Sequence, residues 1–319
     1  MLTDEGSRSS KQRPPLASTA LNRPCPICGN SCRHRCKRWY AIPEFEVLRC
    51  CNCGVTFINK VVNDNLGFTV DYETKADPTL VIKAANDFRR IKTKLKAAGI
   101  IEFRYRSLLD VGCGIGTFLQ QPQQEGWSVA GLELSPAVAA YAREQRGLEV
   151  DTGSIESPTS FPPASFDVVT MFGVIEHLAN PQCAAQECVR VLRPGGFLVL
   201  QTPTEDGLIR RIGRFLYWAT GGVVKFHVRQ LYSMGGGHSV CFNRRSIQVL
   251  LAHYGFEVLS IDQSTYGLRV LLMRFENLPF HKKLIHSLAT SILFSLGRIL
   301  GGSNHMTVYA QKPTSEAVV

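Results

Sequence analysis

From Leu80 onward apolar side chains recur at Ala84, Phe88, Ile91 and Leu95, the spacing of one helix face, and Gly99 suits the position just past such a helix. The pattern then shortens and alternates. Ser107 to Val111 reads as a buried strand, Thr117 to Glu125 as a helix, and Ser128 to Leu132 as a second strand. Ser135 and Pro136 fit the N-cap and first position of a helix running to about Arg146. Strands follow at Leu148 to Asp151 and Phe166 to Phe172, then a helix over Pro181 to Leu192. Arg193-Pro194-Gly195-Gly196 turns into a strand at Phe197 to Thr202. Strands alternating with helices predict a doubly wound, Rossmann-like α/β sheet, parallel in its main part.

The rhythm breaks after Pro203. Residues 204–242 are basic, aromatic and glycine-rich and read as an insertion. A helix resumes over Arg244 to Tyr254, a strand over Glu257 to Gln263, an amphipathic helix over residues 279–300, and a last strand over Thr307 to Lys312. Before the sheet lie a polar tail (1–23), a cysteine-rich block (24–60) ending in the β-like run Gly54 to Ile58, and a linker with the first helix (61–100). The catalytic domain is expected over 101–319. No window holds 18 consecutive apolar residues and the start has no apolar leader, so the expectation is a cytoplasmic chain without a spanning helix.

Charge adds a second division. Of the net +10, residues 1–60 carry +6 and 207–319 carry +9, whereas 101–206 carry −7. The acidic stretch is the alternating α/β region, and basic flanks of this kind face nucleic acid, anionic lipid or a phosphorylated substrate.

The acidic region contains Leu109-Asp110-Val111-Gly112-Cys113-Gly114-Ile115-Gly116, a strand running into a loop with glycine at every second position. Glycine permits positive φ and close approach of a ligand, and the following helix offers free N–H groups. Glu133 lies 23 residues beyond Asp110, at the end of the next strand, where an acid accepts ribose hydroxyls. The third glycine is misplaced for the dinucleotide fingerprint, and an acidic surround suits a sulfonium cation better than a pyrophosphate. The bland alternative is a strand-turn with chance glycines.

These residues resemble class I S-adenosylmethionine-dependent methyltransferases from about Leu108 to Gln201. The likeness is to the branch with ubiquinone-biosynthesis O-methyltransferases and bacterial glycan-cluster enzymes. It is carried by the glycine loop, Gly131-Leu132-Glu133-Leu134-Ser135, Phe166-Asp167-Val168-Val169, Val174-Ile175-Glu176-His177-Leu178 and Val191-Leu192-Arg193-Pro194-Gly195-Gly196. The resemblance implies a seven-stranded sheet whose last strand is antiparallel. It also implies an S-adenosylmethionine site formed by Asp110, Gly112, Cys113, Gly114, Gly116, Glu133, Leu134, Ser154, Ile155 and Phe172, with Glu133 on the ribose and Gly153 to Ile155 near adenine.

Seven of the eleven cysteines fall between Cys25 and Cys53. Cys25-Pro26-Ile27-Cys28-Gly29 and Cys50-Cys51-Asn52-Cys53-Gly54 are paired C-x-x-C-G units, the pattern of a closed four-thiolate structural Zn²⁺ site of a zinc ribbon. Cys32, His34, Cys36 and Cys51 are decoys, and a redox pair or free thiols are the alternative. A ribbon followed by a methyltransferase domain resembles deoxysugar C-methyltransferases and related glycan-modifying proteins. This chain is shorter, which turns the expectation from C- toward O-methylation of a sugar or lipid-linked glycan precursor; a small aromatic or quinol acceptor is the alternative.

Two histidines are candidates to deprotonate the acceptor. His177 follows the fourth strand at the edge where open α/β sheets bind ligands. His238 lies in Gly235 to Phe242, a segment resembling the family's Glu-His-x-x-x-Phe stretch with Gly237 in place of the Glu. Each also has a plain structural role to play, in a helix start or a packed loop. Residues 208–218 and 281–300 combine basic residues with apolar ones and fit either an anionic membrane surface or packing on the sheet. Nucleic acid is the disfavoured partner: the ribbon's aromatics form no stacking series.

Overall fold

The computed structural model describes residues 24–29, 36–41, 46–59, 78–99, 106–224, 237–264 and 304–314, with single helical positions between 281 and 295. The tail, the linker before residue 78, Cys32, His34 and the middle of the 204–242 insertion lie outside these, as does most of the expected helix 279–300.

The larger sheet has seven strands: β4 (Ser107–Val111), β5 (Ser128–Glu133), β6 (Val150–Thr152), β7 (Phe166–Phe172), β8 (Leu192–Pro203), β10 (Glu257–Ser264) and β11 (His305–Gln311). Their order is β10-β11-β8-β7-β4-β5-β6. β4 pairs in parallel with both β5 and β7, whereas β11 runs antiparallel between β8 and β10. The family-like sheet is therefore present, with its last strand reversed. Every residue of β4 is buried, as expected for a strand covered on both faces.

Helices α2 (Gln120–Gln124), α3 (Pro136–Arg146), α4 (Pro181–Val191) and α6 (Arg244–His253) connect these strands. Two local expectations need adjustment. Helix α2 is shorter than its apolar pattern suggested, and β8 begins at Leu192, before the Pro194-Gly195-Gly196 turn. Ser135 does occupy the N-cap of α3 but makes no side-chain cap; its backbone N–H donates to Glu133. Helix α1 (Pro78–Ala97) packs Ala84, Phe88, Ile91 and Leu95 into one cluster with Phe118, Trp127 and Tyr309, so it shares the core of the large sheet.

The smaller sheet is a composite. β1 (Cys36–Ala41), β2 (Glu46–Cys50) and β3 (Thr56–Ile58) form an antiparallel ribbon, and β9 (Val240–Cys241), from nearly two hundred residues further on, completes the order β1-β2-β3-β9. Thr56 pairs with Cys241 and Phe57 with Val240. Asn243 Nδ2 donates to the Gly54 carbonyl at 2.7 Å, and Gln182 Nε2 donates to that of Ile27 at 3.0 Å. Ile27, Leu48, Val55 and Phe57 join Ile175, Leu178, Val240 and Ile247 in a single buried cluster. Ribbon and catalytic domain thus share a core.

Candidate active site

The glycine loop leaves β4 at its C-terminal end. Gly112 and Gly116 have φ of 68° and 81°, and a Cβ on them would lie 2.4 Å from Val174 Cγ2 and 2.1 Å from Leu148 Cδ1. Both glycines are required by the protein's own packing as well as by backbone conformation. The N–H of Gly114 donates to Glu133 Oε2 at 3.0 Å. The Ser135 N–H donates to Glu133 Oε1 at 2.8 Å, so each carboxylate oxygen is aimed by one amide. A carboxylate has about four acceptor positions, which leaves two for a diol.

Cys113 lies between Gly112 and Gly114 in the same loop. Its side chain is buried, and a Cβ on Gly131 would meet Cys113 Sγ at 2.5 Å, so the thiol fills the space that Gly131 leaves open. Leu134 is exposed beside Glu133, Ile155 is buried, and Ser154 Oγ accepts from the Glu156 N–H at 3.2 Å.

Asp110 is buried and accepts from Thr170 Oγ1 at 2.6 Å. Burial pushes its carboxyl up to about 7, against the pull of Thr170 and Lys83. Lys83, on α1, donates to Asp87 at 2.6 Å and Gln201 at 3.0 Å and lies 5.4 Å from the Phe172 ring centroid. Thr170 and Lys83 were not identified from sequence. Thr170 alternates inward on an ordinary strand, and Lys83 sits on a helix face that reads as solvated.

Beyond Val174, which lies against Gly112, Glu176, His177 and His238 converge, with one ligating atom from each within 4.8 Å of the others. The two imidazoles meet edge to face at 4.8 Å between centroids. Glu176 is buried, accepts from Thr202 Oγ1 at 3.0 Å, and is raised by burial to about 7. Its carbonyl accepts the N–H groups of Ser239 and Val240, which anchors the loop carrying His238. Burial, then the neighbouring His177 and Arg210, hold His238 down at about 2, so it stays neutral. Its Nδ1 has no hydrogen-bond partner among the described residues. The two histidines chosen from sequence 61 positions apart are therefore brought together. The trio also has the donor chemistry of a divalent-cation site.

The ribbon cysteines gather as their spacing predicts. Cys25 Sγ lies 3.6 Å from Cys53 Sγ and Cys28 Sγ lies 3.7 Å from Cys50 Sγ, with all four within 4.8 Å of one another. Four sulfurs about 2.3 Å from a tetrahedral centre lie about 3.8 Å apart, so these thiols fit a zinc ion. Contact with Cys53 and burial push the Cys25 thiol far up when no cation is there to hold the thiolate. Cys51 is exposed, and Cys36 opens β1.

Comparison with known proteins agrees with this geometry. A methyltransferase-domain family model matches residues 84–261. The ubiquinone biosynthesis O-methyltransferase of Azoarcus sp. is 36% identical over 168 residues, 51% of this chain and 69% of that enzyme. The enzyme of that name from Xanthomonas euvesicatoria is 33% identical over 117 residues, 35% of this chain and 46% of its own length. In the enzymes of that name from two Klebsiella pneumoniae strains and from Pseudomonas paraeruginosa the match spans 44% of their length. A Galdieria sulphuraria structure assigned as a sarcosine dimethylglycine methyltransferase shares the fold, with TM-score 0.50, 17% identity, and coverage of 70% of this chain and 84% of that one.

The chain belongs to the class I S-adenosylmethionine-dependent methyltransferases. Within that class it carries an additional N-terminal four-cysteine module.

Proposed function

We propose that the protein O-methylates a sugar or lipid-linked glycan precursor, with the acceptor hydroxyl seated against His177 and His238. S-adenosylmethionine, when bound, supplies a methyl group on a sulfonium that is displaced in line by the acceptor oxygen. Glu133, oriented by the Gly114 and Ser135 amides, holds the ribose diol, and Asp110 places negative charge below the cofactor. As the oxygen–carbon bond forms, the hydroxyl proton passes to the imidazole pair.

The carrying observation is the Glu133 carboxylate anchored by two amides at the glycine loop, together with the pairing of His177 and His238. The ribbon favours a glycan acceptor. The names of the curated relatives favour a second reading, methylation of a small quinol-like acceptor. Helix α5 (Leu208–Ala219) supports contact with an anionic lipid surface: Phe215, Trp218 and, just beyond it, Val223 are exposed, and Arg211 lies on the same helix. Among the described residues no helix is long and apolar enough to cross a membrane.

Calorimetry with S-adenosylmethionine tests the cofactor half, and methyl transfer to sugar against quinol acceptors tests the other. His238→Asn is expected to cut turnover at least 100-fold with cofactor affinity unchanged. Unaltered turnover removes His238 from the chemistry.

A further inference from the structure

A cleft of about 540 Å³ opens where the ribbon meets the N-terminus of α6. Lys37 and Arg49 line it from the ribbon, Arg244 and Arg245 from the catalytic domain, with Trp39 forming an apolar wall. Its one carboxylate, Asp206, is occupied at Oδ2 by the Arg244 N–H at 3.0 Å.

Both cation pairs stand where physics disfavours them. Lys37 lies directly opposite Arg49 in the β1–β2 ladder, and like charges facing each other across strands repel. Arg244 and Arg245 open α6, at the positive end of its dipole, with no acidic residue in that turn. Among the described residues no carboxylate forms an ion pair with Lys37, Arg49 or Arg245. The Arg49 guanidinium lies instead 4.4 Å over the Trp39 ring. Two independent breaches of local electrostatics, from two modules, meet in one cleft. Local rules are broken in this way at functional sites.

We propose that this cleft binds the phosphate or pyrophosphate group of the acceptor. An anion of this kind relieves both repulsions together, and guanidinium forks match phosphate oxygens. Trp39, with the Arg49 guanidinium over its ring, holds that fork at the cleft wall. The segment joining His238 to Arg244 spans at most about 21 Å. The cleft and His238 are thus joined by one short stretch of chain, Ser239 to Asn243. Calling the ligand the acceptor rests on the methyl-transfer reading; the anion site itself does not.

The test titrates the full-length, metal-loaded protein with inorganic pyrophosphate, and with sulfate at matched ionic strength, by calorimetry and thermal melting. Pyrophosphate is expected to bind at least tenfold more tightly than sulfate and to raise the Tm. Lys37→Gln and Arg245→Gln, both at exposed positions, should each weaken pyrophosphate at least tenfold. Without anion, each variant should melt at or above the parent temperature, since a repulsion is gone; a merely structural role would lower it. The proposal is overturned if pyrophosphate binds no better than sulfate, or equally well to the variants. It is also overturned if a single-stranded oligoribonucleotide binds through these residues and pyrophosphate does not displace it. S-adenosylhomocysteine affinity, measured on the same samples, separates the two readings. Its absence with pyrophosphate binding intact sinks methyl transfer and leaves the anion site, and the reverse sinks the anion site alone.

Discussion

The two sheets of this protein solve the same problem by opposite means. The seven-stranded sheet buries near-continuous apolar runs such as Ser107–Val111 and Phe166–Phe172 between helices, and needs nothing else to hold its loop in place. The four-stranded sheet has too few residues for a core of its own. It relies on four gathered thiols and on one strand borrowed from the catalytic domain. That borrowed strand follows His238 by one residue. In the proposed site, the self-sufficient sheet thus builds the cofactor half and the dependent one braces the acceptor half.

The sharpest way to break this contrast is to remove the staple. Metal analysis is expected to give one zinc per chain, and Cys25→Ser, or chelation, should abolish it and lower methyl transfer at least 100-fold. S-adenosylmethionine affinity should stay within about threefold, because structural zinc contributes on the order of 10 kcal/mol to the module that binds it and little elsewhere. Metal analysis, calorimetry and hydrogen exchange at Val240 and Cys241 read the outcome; equal loss of both functions would merge the two halves.

The converse variant, Glu133→Ala, removes the ribose acceptor and leaves the Gly114 and Ser135 amides without a carboxylate. A loss of about 3 kcal/mol, roughly 100-fold in cofactor affinity, is expected with zinc content unchanged. Gly112→Ala forces a Cβ against Val174 at a positive φ and should cost about 2 kcal/mol of stability, read as a lower Tm for the large sheet.

The smallest effect concerns pH. Asp110, raised to about 7, binds a proton near neutrality in the free protein. A bound sulfonium favours the ionised form and lowers that value, so binding releases protons. Affinity should then tighten as pH rises toward 7 and level off above it, by a few-fold, and Asp110→Asn should flatten the profile. A flat profile in the parent protein would place the sulfonium away from Asp110.

The sequence announced most of the large sheet because burial on both faces leaves an unbroken apolar run, and glycine breaks mark the turns. The four ribbon cysteines were equally plain, since ligand spacing is local. What stayed hidden was non-local. Nothing at Val240 and Cys241 announces that they pair with Phe57 and Thr56. Strands β1 and β2 contain Lys37, Arg38 and Arg49 where apolar alternation would have revealed them. Lys83 reached the cofactor side only through the packing of α1. His177 and His238 were found separately, each from its motif, and their contact emerged only with the fold.

The β3–β9 pairing has a consequence for how the chain is made. While the ribosome is still translating the middle of the polypeptide, β3 is an open edge with unpaired amides and carbonyls, inviting strands from other nascent chains. It is closed only after Val240 and Cys241 have emerged, so about 180 residues of synthesis separate the ribbon's appearance from its completion. Capture of zinc during that interval would fix the early module in shape before its last strand arrives.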